Sequence, residues 1–468
     1  MIDTKALRSR VLDLAIQGKL TEQLESDGTA EELWQQIQAE KQRLIKEGKL
    51  KKEKPLPEIS EDEIPFEIPE NWKWLRMGAV YSFNPAVEAN DNTDAAFIPM
   101  ERISAGFCRD FSFEVQKWEA ASKNHTKFSD GDVAFAKITP CFENRKSFVA
   151  EGLPNTIGGG TTELIILRQP FIFSYYTYLL IIQQRFIDAG VSTYKGTAGQ
   201  QRVKNDALKQ YLIPLPPLAE QKRIVARVEE FFRLLDIIDA AQEQYAADAE
   251  SLKAKLITLG IQGRLTEQLA SDGTAEELYQ QIQAEKQRLI KEGRIKREKP
   301  LPEIKPEEVP FEIPGNWKWV RFGDLVWNRD SERIPVSVAD RRKLKKIYDY
   351  YGASGVIDKV ETYLFDERLL LIGEDGANLL SRSTPIAFLA EGKYWVNNHA
   401  HVLGFYFADY LPFVMHYINS ISLEPYVTGS AQPKLNQDNM NKIPVPLPPL
   451  AEQKRIAETL ERVLGVMA

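Results

Sequence analysis

Cysteine is almost missing: Cys108 and Cys141 are the two in 468 residues, beside four histidines. Two thiols build neither a disulfide framework nor a multi-cysteine zinc module. They fit a reducing cytoplasm and are expected as buried thiols rather than nucleophiles. No apolar run approaches the roughly 18 residues of a bilayer span, and the opening MIDTKALRSR lacks the apolar core of a secretory signal. Positive charge is not in excess either. A formal net charge of −7 argues against a chain that coats nucleic acid indiscriminately, while leaving room for local binding surfaces.

Catalytic signatures are missing too. There is no G-x-x-x-x-G-K-[ST] loop, and no G-x-G-x-x-G opens a helix. Asn84-Pro85 is not followed by Pro-Tyr, so an amino-methyltransferase motif is absent. Gly158-Gly159-Gly160, followed by Thr161-Thr162, reads as a turn in a polar loop. His399-Ala400-His401 would place two imidazoles on one side of a strand, but no acidic or cysteine partner is spaced to complete a metal site. Glu374 and Asp375 are adjacent and would point apart on a strand, which argues against a nuclease pair.

What the sequence does have is repetition. Residues 16–48 and 261–293 agree at 30 of 33 positions, at an offset of 245. The match runs on through EKPLPEI and PFEIP to Trp72-Lys73-Trp74 and Trp317-Lys318-Trp319. A second repeat, LPPLAEQKRI, stands at 215–224 and 447–456, at an offset of 232. Unequal offsets mean that like modules flank unlike inserts, roughly 76–211 and 321–442. The order is scaffold, insert, scaffold, insert, scaffold. Two copies are too few for a solenoid and fit a two-lobed, pseudo-twofold molecule.

The scaffold reads as helix. Between Pro217 and Gly260 there is neither proline nor glycine, and Ile224, Val228, Phe231, Leu235 and Ile238 fall at helical spacing. Such a helix would be roughly 65 Å long. Thr29 with Glu32, and Thr274 with Glu277, form capping boxes that open helices ending near Gly48 and Gly293. Charged, proline-rich linkers follow, over 49–69 and 293–314. Residues 1–17 align with 246–262, and 451–468 with 219–236, so the C-terminus begins a helix that the N-terminus finishes. This predicts a circularly permuted, closed arrangement of antiparallel coiled-coil helices.

Each insert is mixed α/β, with strands expected at 132–138, 163–167, 369–372 and 386–390, and helices at 174–189 and 408–421. Insert one holds 15 basic and 14 acidic residues and insert two 14 and 15, so neither binds by bulk charge. Both end alike, in Gly196-Thr197-Ala198-Gly199-Gln200-Gln201-Arg202-Val203-Lys204 and Gly429-Ser430-Ala431-Gln432-Pro433-Lys434-Leu435. Small residues let a backbone approach closely, glutamine presents the donor–acceptor pair that matches adenine, and Lys or Arg reaches guanine or phosphate. The plainer alternative is a turn closing each domain. Further basic and amide groups cluster at Lys137, Thr139, Asn144, Arg145 and Lys146, and at Asn378, Ser381 and Arg382. The run Arg341, Arg342, Lys343, Lys345 and Lys346 suits phosphates or a solvated face equally.

On the duplicated P-L-P-P-L-A-E-Q-K-R-I (Pro214–Ile224 and Pro446–Ile456), the duplicated IQGKL-type segment and the N-W-K-W entry, the chain resembles a bacterial type I restriction–modification specificity subunit. The resemblance implies an α+β fold: two α/β target recognition domains joined by long antiparallel helices. The segments would be 1–70 (helical region and linker), 71–211 (recognition domain 1), 212–315 (central helical region), 316–443 (recognition domain 2) and 444–468 (short C-terminal helix). It implies a non-catalytic, cytoplasmic chain that binds double-stranded DNA as a bipartite target, one half-site per domain. DNA-contact candidates are Lys137, Thr139, Asn144, Arg145, Lys146, Gln200, Gln201, Arg202 and Lys204, then Asn378, Arg382, Gln432 and Lys434. Two modification subunits would bring S-adenosylmethionine, and motor–nuclease subunits ATP and Mg2+; no cofactor is expected in this chain. Phe231, Phe232, Leu234, Leu235, Leu460, Val463 and Leu464 are candidate partner anchors, with burial inside the chain as the competing use. The alternative function is a coiled-coil scaffold whose inserts bind protein or carbohydrate.

Overall fold

A computed structural model describes residues 1–48, 55–196, 200–407, 411–429 and 432–466. The chain divides into two compact units, Met1–Glu243 and Gln244–Ala468.

In the first unit, helix α1 (Thr4–Ile16) and helix α2 (Ala30–Lys46) precede the insert, and α2 opens with the Thr29/Glu32 capping box. Gly18, between them, adopts φ +68° with Pro69 and Trp72 against it, so a side chain there meets both strain and a wall. Strand β1 (Lys73–Arg76) begins the insert. Then follow β2 (Ser82–Phe83), β3 (Asp94–Ile98), β4 (Glu114–Lys117), β5 (Thr126–Ser129), β6 (Val133–Ala136), β7 (Ser147–Val149), β8 (Ile157–Gly160) and β9 (Leu164–Arg168). Helices α3 (Ser174–Ile181) and α4 (Gln184–Val191) lead to β10 (Leu212–Leu215). The strands form a β1–β10 ribbon, an antiparallel sheet ordered 2-9-6-7, and a mixed sheet ordered 4-3-8-5 in which β3 and β8 are parallel. The expected single helix over 174–189 is thus two, broken at Ile182–Gln183. The expected glycine turn at 158–160 is instead strand β8, buried throughout. The glycines belong there because a Cβ at Gly159 would run into the Ala121 carbonyl oxygen and one at Gly158 into the Phe128 ring.

Helix α5 (Leu218–Ile261) runs unbroken for 44 residues, through the stretch free of proline and glycine and one residue past Gly260, and passes from one unit into the next. Its first part lies antiparallel to α1. Gln242 bonds the Ile2 amide, Asp239 accepts from Thr4, and Arg8 pairs with Asp236 and Asp239 (2.5 and 2.9 Å).

The second unit repeats these parts. Helix α6 (Ala275–Lys291) opens with the Thr274/Glu277 capping box. The strands are β11 (Lys318–Arg321), β12 (Val326–Asn328), β13 (Tyr348–Gly352), β14 (Gly355–Val360), β15 (Phe365–Asp366), β16 (Leu369–Gly373), β17 (Ala387–Ala390), β18 (Lys393–Val396), β19 (Ala400–Phe405) and β20 (Pro444–Leu447). Helix α7 (Leu411–Ser420) lies between β19 and β20, and α8 (Leu450–Val466) follows; residues 408–410 of the expected helix fall outside the described residues. Sheet orders are 11-20, 12-19-16-17 and 14-13-18-15, with β13 and β18 parallel. Adding ten to every strand number of the first unit gives the second. Inserts without visible sequence similarity therefore share one topology.

The duplicated motifs meet at one buried carboxylate per unit. Glu220 accepts from Trp72 Nε1 (2.7 Å), Gln23 Nε2 (2.6 Å) and Thr21 Oγ1 (3.1 Å). Glu452 accepts from Trp317 Nε1 (2.8 Å), Gln268 Nε2 and Thr266 Oγ1. The next motif positions act alongside. Gln221 and Gln453 donate to the Pro216 and Pro448 carbonyls, and Arg223 and Arg455 pair with Asp27 and Asp272. The proline-rich segments are fastened rather than loose. Buried Arg76 donates to the Pro57 and Glu58 carbonyls and pairs with Glu63, and Arg321 does the same with Pro302, Glu303 and Glu308.

Removing the carboxylate leaves buried indole and amide donors without acceptors, so Glu220→Ala should destabilise by about 2–4 kcal/mol in denaturant titration. Burial raises the Glu220 carboxyl, with the Trp72 and Gln23 bonds offsetting part of that rise. The folded state therefore holds this proton more tightly than the unfolded chain. The resulting stabilisation is present below the ordinary carboxylate range and is lost as pH rises through the raised value. Wild type minus Glu220→Gln, compared in pH-dependent melts, should show that trend.

Candidate nucleic-acid interface

Two groups of residues far apart in the first insert come together at the end of the 2-9-6-7 sheet. The segment before α5 folds back on itself: the Lys195 and Arg202 backbones exchange hydrogen bonds (3.2 and 3.0 Å). It then joins the continuation of β6, since Val203 donates to the Lys137 carbonyl and Thr139 to that of Gln201 (both 2.9 Å). Lys137 in turn donates from its backbone to Glu163, beside β9. Residues 197–199 of the expected loop lie outside the described residues.

Side chains alternate along this extended segment. Val203 is buried, whereas Gln200, Arg202 and Lys204 are exposed. Arg202 binds Glu163 through Nε and Nη2 (2.9 and 2.7 Å) and, with Lys137 nearby, holds that carboxyl below its ordinary range. Asn144 is exposed at the following turn. Gln201 is half-buried, Thr139 donates to Glu143 (2.5 Å), and Lys146 donates to the Met100 carbonyl (2.9 Å).

The second unit builds the same element. Thr428 and Lys434 exchange backbone bonds of 2.8 Å, Leu435 donates to the Glu374 carbonyl, and Gly376 to that of Pro433. Residues 430 and 431 lie outside the described residues. Gln432 and Lys434 are exposed, and Lys434 pairs with Glu374 at 3.0 Å. Asn378 is occupied in its own loop, bonding Thr384 and Ser383.

Arg145 and Arg382 have a different task from that expected of a DNA contact. Each takes a left-handed conformation, φ +55° and +54°. Arg145 donates to the Ile182 carbonyl at the end of α3 (2.8 Å), reaches Gln184 at the start of α4, and lies over the Phe107 ring. Arg382 donates to the Ile418, Asn419 and Ile421 carbonyls at the end of α7. Both guanidinium groups satisfy helix-terminal carbonyls, and burial pulls both below their ordinary pKa. A basic residue beside polar neighbours reads as a phosphate contact; the backbone twist that turns it inward leaves no mark in the sequence.

The histidines do find acidic partners, contrary to the expectation drawn from spacing, because the chain brings them from elsewhere. His401, fully buried, contacts Asp330 through Nδ1 (2.6 Å) and the Leu435 carbonyl through Nε2 (2.8 Å). His399 faces Asp375 at 2.9 Å, and Glu374, turned the other way, pairs with Arg333 at 2.7 Å. Asp330, Glu374 and His401 lie close enough for a metal. Their ligand atoms, however, already serve Arg333, Lys434 and Gln437. Burial opposes ionisation of Asp330, yet the His401 bond and the Val402 amide hold its carboxyl at about 2. This is a saturated polar network that anchors the second hairpin. Cys108 and Cys141, expected buried, are half-buried, and burial raises the Cys108 thiol.

Among the partner anchors, Leu235 and Leu460 are buried, Leu460 in the core of the second unit; Phe232, Val463 and Leu464 are half-covered. Phe231 is half-covered beneath Arg227, and Leu234 is 45% exposed. Among the described residues no helix is long and apolar enough to cross a membrane.

The type I restriction modification DNA specificity domain matches residues 69–244 and 314–466. The chain belongs to that family. It is similar to the type I restriction enzyme EcoEI specificity subunit of Escherichia coli, 32% identical over 98% of this chain and 88% of that protein. Against the Escherichia coli EcoAI specificity subunit it is 40% identical over 69% of this chain and 62% of that protein. Its fold is similar to a chain from a structural study of assembly and conformational transition in the type I R-M system (TM-score 0.58, 19% identity, 86% of this chain and 92% of that one). It also resembles the HsdS subunit of Thermoanaerobacter tengcongensis (TM-score 0.52, 18% identity, 86% and 91%). Membership makes this the DNA-recognition chain of a restriction–modification system rather than its catalytic one. It sets aside the reading of a scaffold for protein or carbohydrate.

Arg145→Ala should cost about 1–3 kcal/mol of stability by orphaning a buried carbonyl, with no change in the salt dependence of DNA binding. A lower salt slope at unchanged stability would mark Arg145 as a phosphate contact after all.

Proposed function

We propose that the chain reads a bipartite DNA sequence, one half-site through residues 71–211 and the other through 316–443. The segments 1–70, 212–315 and 444–468 form the scaffold. The observation that carries this is the same hairpin at the end of the same sheet in both inserts, each time exposing a glutamine and a basic residue, Gln200 with Arg202 and Gln432 with Lys434. Gln200 and Gln432 are the base-reading candidates, with Asn144, Thr139 and Gln201 beside the first and Asn378 beside the second. Lys137, Lys146, Arg202, Lys204 and Lys434 serve phosphate or position the loops. The scaffold helices hold two modification subunits, which supply S-adenosylmethionine, and motor–nuclease subunits join with ATP and Mg2+. Phe231, Phe232, Leu234, Val463 and Leu464, still partly accessible, are the anchors.

Mapping methylated adenines in a host carrying this chain gives its target. Replacing 76–211 with the corresponding insert of a relative should then alter one half-site and leave the other; alteration of both would end the modular reading. Gln200→Ala or Gln432→Ala should cost about 1–3 kcal/mol and relax a single base position. In native mass spectrometry the assembly should carry two modification subunits per chain, the second leaving first on dilution. Saturation at one, or survival of the complex without residues 219–262, would refute the docking assignment.

A further inference from the structure

The two hairpins differ in charge in a way that their net composition hides. On the first, Lys195 stands opposite Arg202 across the backbone pair, and Lys204 is two residues further on the same face. Diagonal neighbours on an extended pair lie within reach of long side chains. Three cations therefore share one face. Glu163 neutralises Arg202 alone; among the described residues neither lysine has an ion pair. Both lysines are exposed, and contact with the Lys195 ammonium holds Lys204 below its ordinary pKa. Asp206 offsets only part of their mutual repulsion, so the two ammonium groups keep a positive excess on this face, complementary to an anion.

The corresponding positions of the second hairpin are Thr428 and Asn436. Thr428 is neutral and donates through its hydroxyl to the Lys434 carbonyl. Asn436 caps the following helical turn, accepting from the Asn439 amide. Lys434 is neutralised by Glu374, which also pairs with Arg333, and Arg333 lies beside Asp330 as well.

We infer that Lys195 and Lys204 form a two-point clamp on the phosphodiester backbone at the first half-site, and that the second lobe has no equivalent. This rests on the DNA reading proposed above. The two half-sites are then gripped differently: the first by backbone charge as well as base contacts, the second chiefly by base edges and shape.

The test is fluorescence anisotropy of the full chain on a mixed-sequence duplex, titrated between about 50 and 200 mM KCl. In Lys195→Ala/Lys204→Ala the slope of log K against log salt should fall by about 1.8, or about 0.9 for each phosphate no longer neutralised. Lys195→Arg/Lys204→Arg should keep the wild-type slope, and both variants should melt as wild type, since neither lysine supports the fold. Lys434→Ala should change the slope by less than half as much. An unchanged slope in the double alanine variant overturns the clamp, and a fall of about 0.9 in Lys434→Ala, one full phosphate contact, overturns the asymmetry. A wild-type chain that no duplex retains would overturn the DNA reading, and the clamp with it.

Discussion

Each unit is organised around a carboxylate that has left water. Glu220 and Glu452 are fully buried, and each accepts from an indole on one stretch of chain and from a primary amide and a hydroxyl on another. A buried charge is tolerable only when its lone pairs are filled. The requirement therefore fixes, at one point, the start of a long helix, the turn after the preceding helix and the entry to the insert. This explains why the repeated words of the sequence are these words. Within AEQKRI the acid takes the indole of N-W-K-W and the threonine and glutamine of LTEQL. The amide holds the proline-rich approach, and the arginine holds the aspartate of SDG. Strand pairs β1–β10 and β11–β20 then close each insert where it leaves the scaffold, with Trp74 opposite Pro214 and Trp319 opposite Pro446.

The scaffold is legible in the sequence because its information is local. Capping boxes, the long stretch without proline or glycine, and identical segments at two offsets need no knowledge of tertiary contacts. The inserts are legible only as mixed α/β. Their common topology is carried by which positions are buried, and many residue combinations satisfy a buried strand. Gly158–Gly160 shows the difficulty: glycines that admit a carbonyl and a phenyl ring look, in sequence, like glycines that make a turn. The hairpins are visible in Gln200–Lys204 and Gln432–Lys434, but Lys195 is not, because its partner lies seven residues away across a fold-back. Arg145 and Arg382 show the opposite difficulty: each looks in sequence like a surface cation, while in the fold its guanidinium donates to helix-terminal carbonyls.

The stiffness of the hairpins differs as well as their charge. The first rests on backbone pairing and the Arg202–Glu163 fork. The second is underpinned by Asp330, His401, Arg333 and Gln437, with His401 gripping the Leu435 carbonyl and Gln437 reaching Asp330. A recognition element built on a filled polar network loses little conformational entropy when a ligand arrives.

The near-identity of 16–48 and 261–293 also bears on shortening the chain. Because the two stretches are in register, a deletion from any position of the first to its equivalent in the second removes 245 residues and leaves one uninterrupted copy of the segment. The shortened product joins the first α1–α2 region to the second insert and its C-terminal helix. It keeps a threonine and a glutamine at positions 21 and 23, the indole now at Trp317, and Glu452 to receive all three. Every donor of one carboxylate cage survives the deletion, so the shortened chain still contains a complete lobe.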